Sequence, residues 1–93
     1  MRHYNYQLPD EIEYFSLSLT ELRIEDTKLT SLTKNLGKLK RLRTLIISNT
    51  SLMTLPASIG DLSSLTVLYL PYNKLKSLPT MIRRLSSLKQ LTL

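Results

Sequence analysis

The chain of 93 residues is long enough for one domain at most, and it contains no cysteine, which excludes a disulfide framework and a thiolate metal site. Its net charge of +6 is unevenly distributed: residues 1–26 hold two basic residues against six acids, whereas residues 27–93 hold eleven basic residues against Asp61 alone. No segment resembles a signal peptide or approaches the roughly 20 apolar residues of a membrane-spanning helix. We expect an intracellular, cytoplasmic protein with a charge dipole along its length.

Residues 1–18 contain an irregular copy of a unit that recurs later in the chain. Their segment LPDEIEYF aligns with LPASIGDL and LPTMIRRL, and proline followed by two acids is typical of the start of a short helix. Pro9 and Pro56 are 47 residues apart, one more than twice the 23 residues that separate Pro56 from Pro79. We predict that residues 1–18 form a partial repeat that caps the first full repeat, with a binding extension as the alternative.

Three full repeats follow without a gap, at residues 19–41, 42–64 and 65–87, and a fourth begins at residues 88–93. They share the pattern L-x-x-L-x-[LI]-x-x-[TN]-x-L-x-x-L-x-x-x-[LI]-x-x-L-x-x, and all 24 apolar grid positions are Leu or Ile. Self-similarity at one fixed period indicates a stacked repeat architecture, in which each unit buries its apolar face against its neighbours.

Each repeat combines two apolar periodicities. Alternating pairs such as Leu45 and Ile47 predict a strand with one buried face, and the spacing of Leu55, Ile59 and Leu62 predicts one or two helical turns. The helical return brings the next strand in parallel beside the last. We therefore predict an α/β fold, a curved solenoid with a parallel sheet on one side and short helical or 3-10 returns on the other.

Other positions of the repeat suggest turns. Gly37 and Gly60 share one column, which we interpret as a left-handed turn that ends the helical piece. Thr27, Thr50 and Asn73 share a column after each strand, where a short polar side chain can bond to the backbone of the turn. The fourth copy stops within its strand, which predicts either a fragment of a longer repeat protein or a chain that associates through this end.

These residues resemble the leucine-rich-repeat family, in the 23-residue LxxLxLxxNxLxxLPxxIxxLxx form found in bacterial leucine-rich-repeat effectors and intracellular Ras-scaffold proteins. The resemblance covers residues 19–93 and implies a parallel sheet on the concave face of the solenoid, used for protein recognition. It also implies the host cytoplasm as the location if the protein is a bacterial effector. The departures are Thr27 and Thr50 in place of Asn, Thr33 in place of Pro, and no terminal cap after Leu93.

The residue inventory argues against an enzyme and against a cofactor. The one histidine, His3, lies close to the N-terminus, so a Ser–His–Asp arrangement has no rigidly held base. Glu21, Glu25 and Asp26 are close enough in sequence for a metal or acid–base site, but a solvated acidic patch is the favoured interpretation because no histidine accompanies them.

A run of basic residues invites a nucleic-acid or anionic-membrane interpretation: Lys34, Lys38, Lys40, Arg41 and Arg43. Most of this run falls on the predicted convex return, and no aromatic residue for base stacking is interleaved with it. The sequence therefore favours a solvated face over a nucleic-acid site.

The outward strand positions and the residues that follow them predict a protein-binding face on the concave sheet, made of Glu21, Arg23, Glu25, Asp26, Thr44, Ile46, Ser48, Val67, Tyr69 and Tyr72. Outside the N-terminal segment, Ile46 is the one Ile or Leu that the grid does not require. Because neighbouring strands lie about 4.8 Å apart, Ile46 should adjoin Tyr69. Clustered apolar residues with tyrosines are typical of a binding hot spot, although single exposed apolar residues are normal on any protein.

We therefore predict a non-catalytic module that binds another protein, of unknown identity. The alternative is a structural or assembly role, in which copies of the chain associate end-on through the open strand of residues 88–93.

Overall fold

The computed structural model of the chain describes residues 10–93. Four 3-10 helices alternate with four strands, in the order η1 (Asp10–Phe15), β1 (Glu21–Glu25), η2 (Lys34–Lys38), β2 (Thr44–Ser48), η3 (Ala57–Asp61), β3 (Val67–Tyr69), η4 (Thr80–Arg84) and β4 (Gln90–Thr92). His3 and the first half of the predicted cap, with Leu8 and Pro9, lie outside the described residues.

The four strands form one parallel sheet in sequence order, β1-β2-β3-β4. Their register advances by one period per strand, so that Leu22 pairs with Leu45, Leu45 with Leu68 and Leu68 with Leu91. Each 3-10 helix packs against the next one, on the other side of the apolar core. This arrangement confirms the predicted α/β solenoid, because identical spacing makes every strand and every return neighbour its own copy.

The core is a continuous ladder of Leu and Ile side chains from the inner face of the sheet and from the returns. Leu22, Leu45 and Leu68 are at most 1% exposed, and each such side chain contributes about 1.5–3 kcal/mol through its burial. The last unit is different. Leu91 is 42% exposed and Leu93 is 67% exposed, because within residues 10–93 no element packs beyond β4.

The predicted left-handed conformation of Gly37 and Gly60 is wrong, because neither glycine has a positive φ. Their column requires glycine for a different reason, which is the close passage of the next return. A β-carbon on Gly37 would lie 2.6 Å from the backbone oxygen of Ser58, and one on Gly60 would lie 2.5 Å from the backbone oxygen of Met81. Such distances are too short for any real β-carbon, so the side chain must be absent.

The left-handed residues lie instead where the chain leaves the strands. Asp26, Asn49 and Tyr72 have φ values of 56°, 53° and 60°, and they are spaced one period apart. The side chain of Asn49 donates to the Asp26 carboxylate at 2.8 Å. Asp and Asn tolerate this conformation better than other residues with a β-carbon, and an aromatic residue does not share that advantage.

The polar column confirms the prediction made for it. The Thr27 and Thr50 hydroxyls accept hydrogen bonds from the amides of Leu29 and Leu52, at 3.2 and 3.0 Å. The Asn73 side chain is bonded more extensively. Its oxygen accepts from the Thr50 hydroxyl at 2.6 Å and from the Thr50 amide at 3.2 Å, and its Nδ2 donates to the carbonyl oxygens of Ile47 and Leu70.

Thr33 takes the place of the prolines that precede η3 and η4. Its hydroxyl caps η2 by accepting from the amide of Asn35 at 3.2 Å, and it also donates to the carboxylate of Asp10 in η1. A proline here would lose both bonds, so the departure from the repeat pattern joins η2 to η1.

Candidate functional site

The solvent-facing side of the sheet, which we call the sheet face, carries side chains in rows that cross the strands. The strand register places Glu21, Thr44, Val67 and Gln90 in one row and Arg23, Ile46, Tyr69 and Thr92 in the next. Glu25 and Ser48 begin a third row. All of the predicted strand residues of the binding face therefore lie on one surface, because residues two apart on a strand point to the same side.

An apolar patch occupies the middle of the sheet face and consists of Ile46, Val67 and Tyr69. Ile46 lies directly opposite Tyr69 in the register, which confirms the predicted adjacency. Ile46 and Val67 are half-buried, and Tyr69 is 37% exposed. Thr92, the register neighbour of Tyr69 on β4, extends this row although the sequence-based site omitted it. Thr92 lies 23 residues after Tyr69, so the repeat period alone could have placed it in this row.

Tyr72 lies beyond the end of β3 and is 82% exposed. It borders a cavity of about 210 Å³ at the C-terminal end of the stack, together with Leu70, Leu75, Leu78 and Leu93. Its backbone is held in the left-handed region, where Asp26 and Asn49 occupy the same column. Sequence reasoning selected Tyr72 for its aromatic ring and missed this backbone conformation.

The charged flank of the sheet face is an ion-pair cluster on β1. Arg23 donates from Nε to Glu21 at 2.9 Å and from Nη1 to Glu25 at 3.4 Å. The hydrogen bond and the charge of Glu21 raise the pKa of Arg23 above its ordinary value, and Glu25 adds a smaller contribution. The carboxylates thus have a cation between them, and residues 10–93 contain no group of His, Cys, Asp and Glu side chains fit to hold a metal ion.

Thr44 and Ser48 complete the predicted face. Both are half-buried and lie on β2, one on either side of Ile46, where Thr44 pairs with Glu21 and Ser48 with Glu25. Asp26 lies at the end of β1, exposed, with its carboxylate accepting from Asn49. The sheet face therefore combines a polar border with an apolar centre.

Most of the basic run lies on the returns, away from this face. Lys34 and Lys38 belong to η2, and the Lys38 ammonium donates to the Glu13 carboxylate of η1 at 2.8 Å. Lys40 donates to the backbone oxygen of Asp61 at 2.9 Å, and Arg41 donates to that of Leu17 at 3.4 Å. These side chains therefore bridge successive returns, on the side predicted to be convex.

Comparison with known proteins places the chain in a family. Residues 7–93 match the family model described as a leucine-rich repeat region. A solved structure of a leucine-rich-repeat protein from Leptospira interrogans is 43% identical and superposes with a TM-score of 0.89. That match covers 92% of this chain and 22% of the Leptospira protein, so the chain spans about a fifth of that protein's length.

No curated protein matches the chain. Within residues 10–93 no helix has the length and apolar character needed to cross a membrane. The matches are to the family as a whole, so the LPxxI subtype stays a prediction. The match to the family model extends over nearly the whole chain, and the protein therefore belongs to the leucine-rich-repeat family.

Proposed function

We propose that this protein is a non-catalytic module that binds another protein on the concave side of its sheet, with the apolar patch and Tyr72 as the main contacts. Leucine-rich repeats generally mediate protein–protein interaction, and members of the family are typically not enzymes.

The backbone of Tyr72 is the observation that carries the proposal. A residue with a β-carbon loses roughly 1–2 kcal/mol in the left-handed conformation, and Asp or Asn reduces this cost by local hydrogen bonding. Tyr72 adopts this conformation with a side chain that is 82% exposed, so the core gains almost nothing from its ring. A strained, solvent-exposed aromatic residue in a column of Asp and Asn is best explained by a contact that the isolated chain does not make.

The apolar patch supports the same conclusion. The aliphatic residue outside the repeat grid, Ile46, lies opposite Tyr69, and Val67 shares β3 with Tyr69. Aromatic anchors beside aliphatic residues, surrounded by polar side chains, are typical of the centre of a protein interface. The repeat itself requires none of these three residues, because the leucine grid alone builds the core.

The ion-pair cluster on β1 orients the approaching partner. Arg23 is already paired with Glu21 and Glu25, so the cluster carries a net negative charge that Asp26 increases. Charges at the rim of an interface chiefly set the orientation and the rate of association. A partner that approaches in the wrong direction would place its acidic groups against this flank.

Affinity capture from a lysate of the source organism tests the proposal. The immobilised wild type is compared with Tyr72→Asn and with an Ile46→Ser, Tyr69→Ala double variant. Tyr14→Ala is the matched control, because Tyr14 is equally exposed but lies on η1, away from the sheet face. We expect a protein that the wild type and the control retain and that both sheet-face variants lose.

The captured protein is then titrated against purified variants. We expect Tyr69→Ala to weaken binding by about 2 kcal/mol, which corresponds to roughly a thirtyfold higher Kd, with an unchanged circular dichroism spectrum. A partner that binds the double variant with wild-type affinity would contradict the proposed site. An affinity that falls steeply with rising salt and does not change when Tyr69 or Tyr72 is substituted would indicate an electrostatic contact instead.

A further inference from the structure

A cleft lies at the edge of the sheet where the strands begin, outside the proposed protein-binding face. It has a volume of about 320 Å³ and is lined by Thr20, Arg41, Arg43 and Ser64. Thr20 and Arg43 directly precede β1 and β2, and Arg41 and Ser64 are equivalent residues of successive repeats. The first two full repeats therefore supply the lining, which consists of two guanidinium groups and two hydroxyls.

Main-chain hydrogen bonds hold the backbone of Arg43 beside this cleft. Its amide donates to the carbonyl oxygen of Thr20 at 2.8 Å, and its own carbonyl oxygen accepts from the amide of Thr66 at 2.8 Å. The Thr66 hydroxyl donates to the same oxygen at 3.0 Å. The backbone is thus fixed from both neighbouring repeats. A site on backbone that is already held in place loses less conformational entropy when a ligand binds.

Neither arginine of the cleft is paired with a carboxylate of residues 10–93. Within these residues the Arg41 side chain makes one hydrogen bond, from Nη1 to the backbone oxygen of Leu17 at 3.4 Å, and the Arg43 side chain makes none. Glu11 and Asp61 lie on η1 and η3 and do not line the cleft. The other five acids of the chain accept hydrogen bonds from other side chains: Asp10, Glu13, Glu21, Glu25 and Asp26.

The two hydroxyls of the cleft are also available to a ligand. In the part of the chain that the structure describes, the side chains of Thr20 and Ser64 make no hydrogen bond. Equivalent hydroxyls later in the chain do so. Ser87, one period after Ser64, donates to the carbonyl oxygen of Ser63 at 2.9 Å, and Thr66, two periods after Thr20, donates to that of Arg43. The cleft therefore gathers donors that the fold itself does not use.

We propose that this cleft binds a phosphate group, either as inorganic phosphate or as part of a small phosphorylated molecule. The forked N–H donors of Arg41 and Arg43 match the geometry of phosphate oxygens, and a dianion balances their two positive charges. The hydroxyls of Thr20 and Ser64 supply two further donors. A volume of about 320 Å³ lies at the lower end of the range of small-molecule sites and leaves room for an organic group on the phosphate.

Titration of the isotope-labelled chain with inorganic phosphate or with glycerol 3-phosphate measures the binding, through the backbone amide and arginine side-chain NMR signals. The titrations are run at constant ionic strength and at about pH 8, where a phosphate monoester is a dianion. We expect saturable shifts centred on Thr20, Arg41, Arg43 and Ser64, with a Kd on the order of 1 mM. A lower Kd for the ester identifies a phosphorylated molecule as the ligand, and equal Kd values identify the free ion.

Substitutions locate the site. Arg41→Gln and Arg43→Gln should each raise the Kd at least about tenfold, because each removes a charged donor pair. Ser64→Ala should raise it about threefold, because it removes one neutral donor. Arg84→Gln is the matched control, since it removes the same charge from an exposed residue of η4, and it should leave the Kd unchanged.

Three results would overturn the proposal. The first is a set of shifts that stays linear in phosphate concentration, or that saturates at residues away from the cleft. The second is an equal loss of affinity in Arg84→Gln and in Arg43→Gln, which would indicate a response to net charge alone. The third is an acetate titration that produces the same shifts with the same Kd, because the cleft would then not distinguish phosphate from a carboxylate.

Discussion

The backbone oxygen of Met81 lies 2.5 Å from the position that a β-carbon on Gly60 would take. Gly60→Ala should therefore destabilise the protein by about 2–3 kcal/mol, because η4 must move away from η3 to admit one methyl group. Urea denaturation followed by circular dichroism measures this change.

A second substitution at the same position distinguishes close packing from a left-handed turn. Asn is a favourable replacement for glycine at positive φ, whereas in a packed column its larger side chain is worse than alanine. We expect Gly60→Asn to be less stable than Gly60→Ala. The opposite order would restore the interpretation as a left-handed turn.

Asn73 joins the last two full repeats through its side-chain amide. Asn73→Ala removes the acceptor of the Thr50 hydroxyl and the donor to the carbonyls of Ile47 and Leu70. Half-buried polar groups that lose their partners cost about 1–3 kcal/mol, and we expect a loss within that range in thermal or urea unfolding. Asn73→Thr is the matched comparison, because Thr50 uses its hydroxyl in the same column. The stability of Asn73→Thr should lie between that of the alanine variant and that of the wild type.

Tyr72→Asn should stabilise the fold by roughly 1 kcal/mol, because Asn accepts the left-handed conformation that Tyr72 is forced to adopt. The same change should weaken partner binding, so that stability and affinity move in opposite directions. Tyr69→Asn provides the contrast, since Tyr69 lies in a regular strand and offers no backbone strain to relieve. Equal effects of the two substitutions on unfolding would argue against strain at residue 72.

Ser58 carries a buried hydroxyl with no hydrogen-bond partner. Ser58→Ala should leave the backbone unchanged and raise the free energy of unfolding by about 1 kcal/mol, because an unsatisfied polar atom is removed. Ser86→Ala, in an exposed turn, should have almost no effect. A clear loss of stability in Ser58→Ala would indicate that the hydroxyl is bonded in solution.

The sheet and its register could be predicted from the sequence because one period governs both. Ile46 and Tyr69 are 23 residues apart, so a stack with that period must place them side by side, and the register does so. The buried Leu and Ile positions of the core could be predicted for the same reason. The predicted cap of residues 1–18 stays a prediction, because half of it lies outside the described residues.

The glycine column could not be assigned in this way. Glycine is required either where φ is positive or where another backbone approaches closely. The presence of Gly37 and Gly60 in the sequence does not show which of these two reasons applies. The column of Asp26, Asn49 and Tyr72 did carry a signal in the sequence, since Asp and Asn are the residues that adopt left-handed turns most readily.

The graded burial of the leucine ladder implies that this small protein does not open uniformly. A unit in the interior of the stack has two neighbours, whereas the unit that contains β4 has one, and Leu91 has little apolar contact to lose. Local opening should therefore begin at β4 and spread towards β2, with amide hydrogen exchange fastest at Gln90–Thr92 and slowest at Leu45 and Ile47. A residue-resolved exchange profile of residues 10–93 therefore reports the order in which the repeats open.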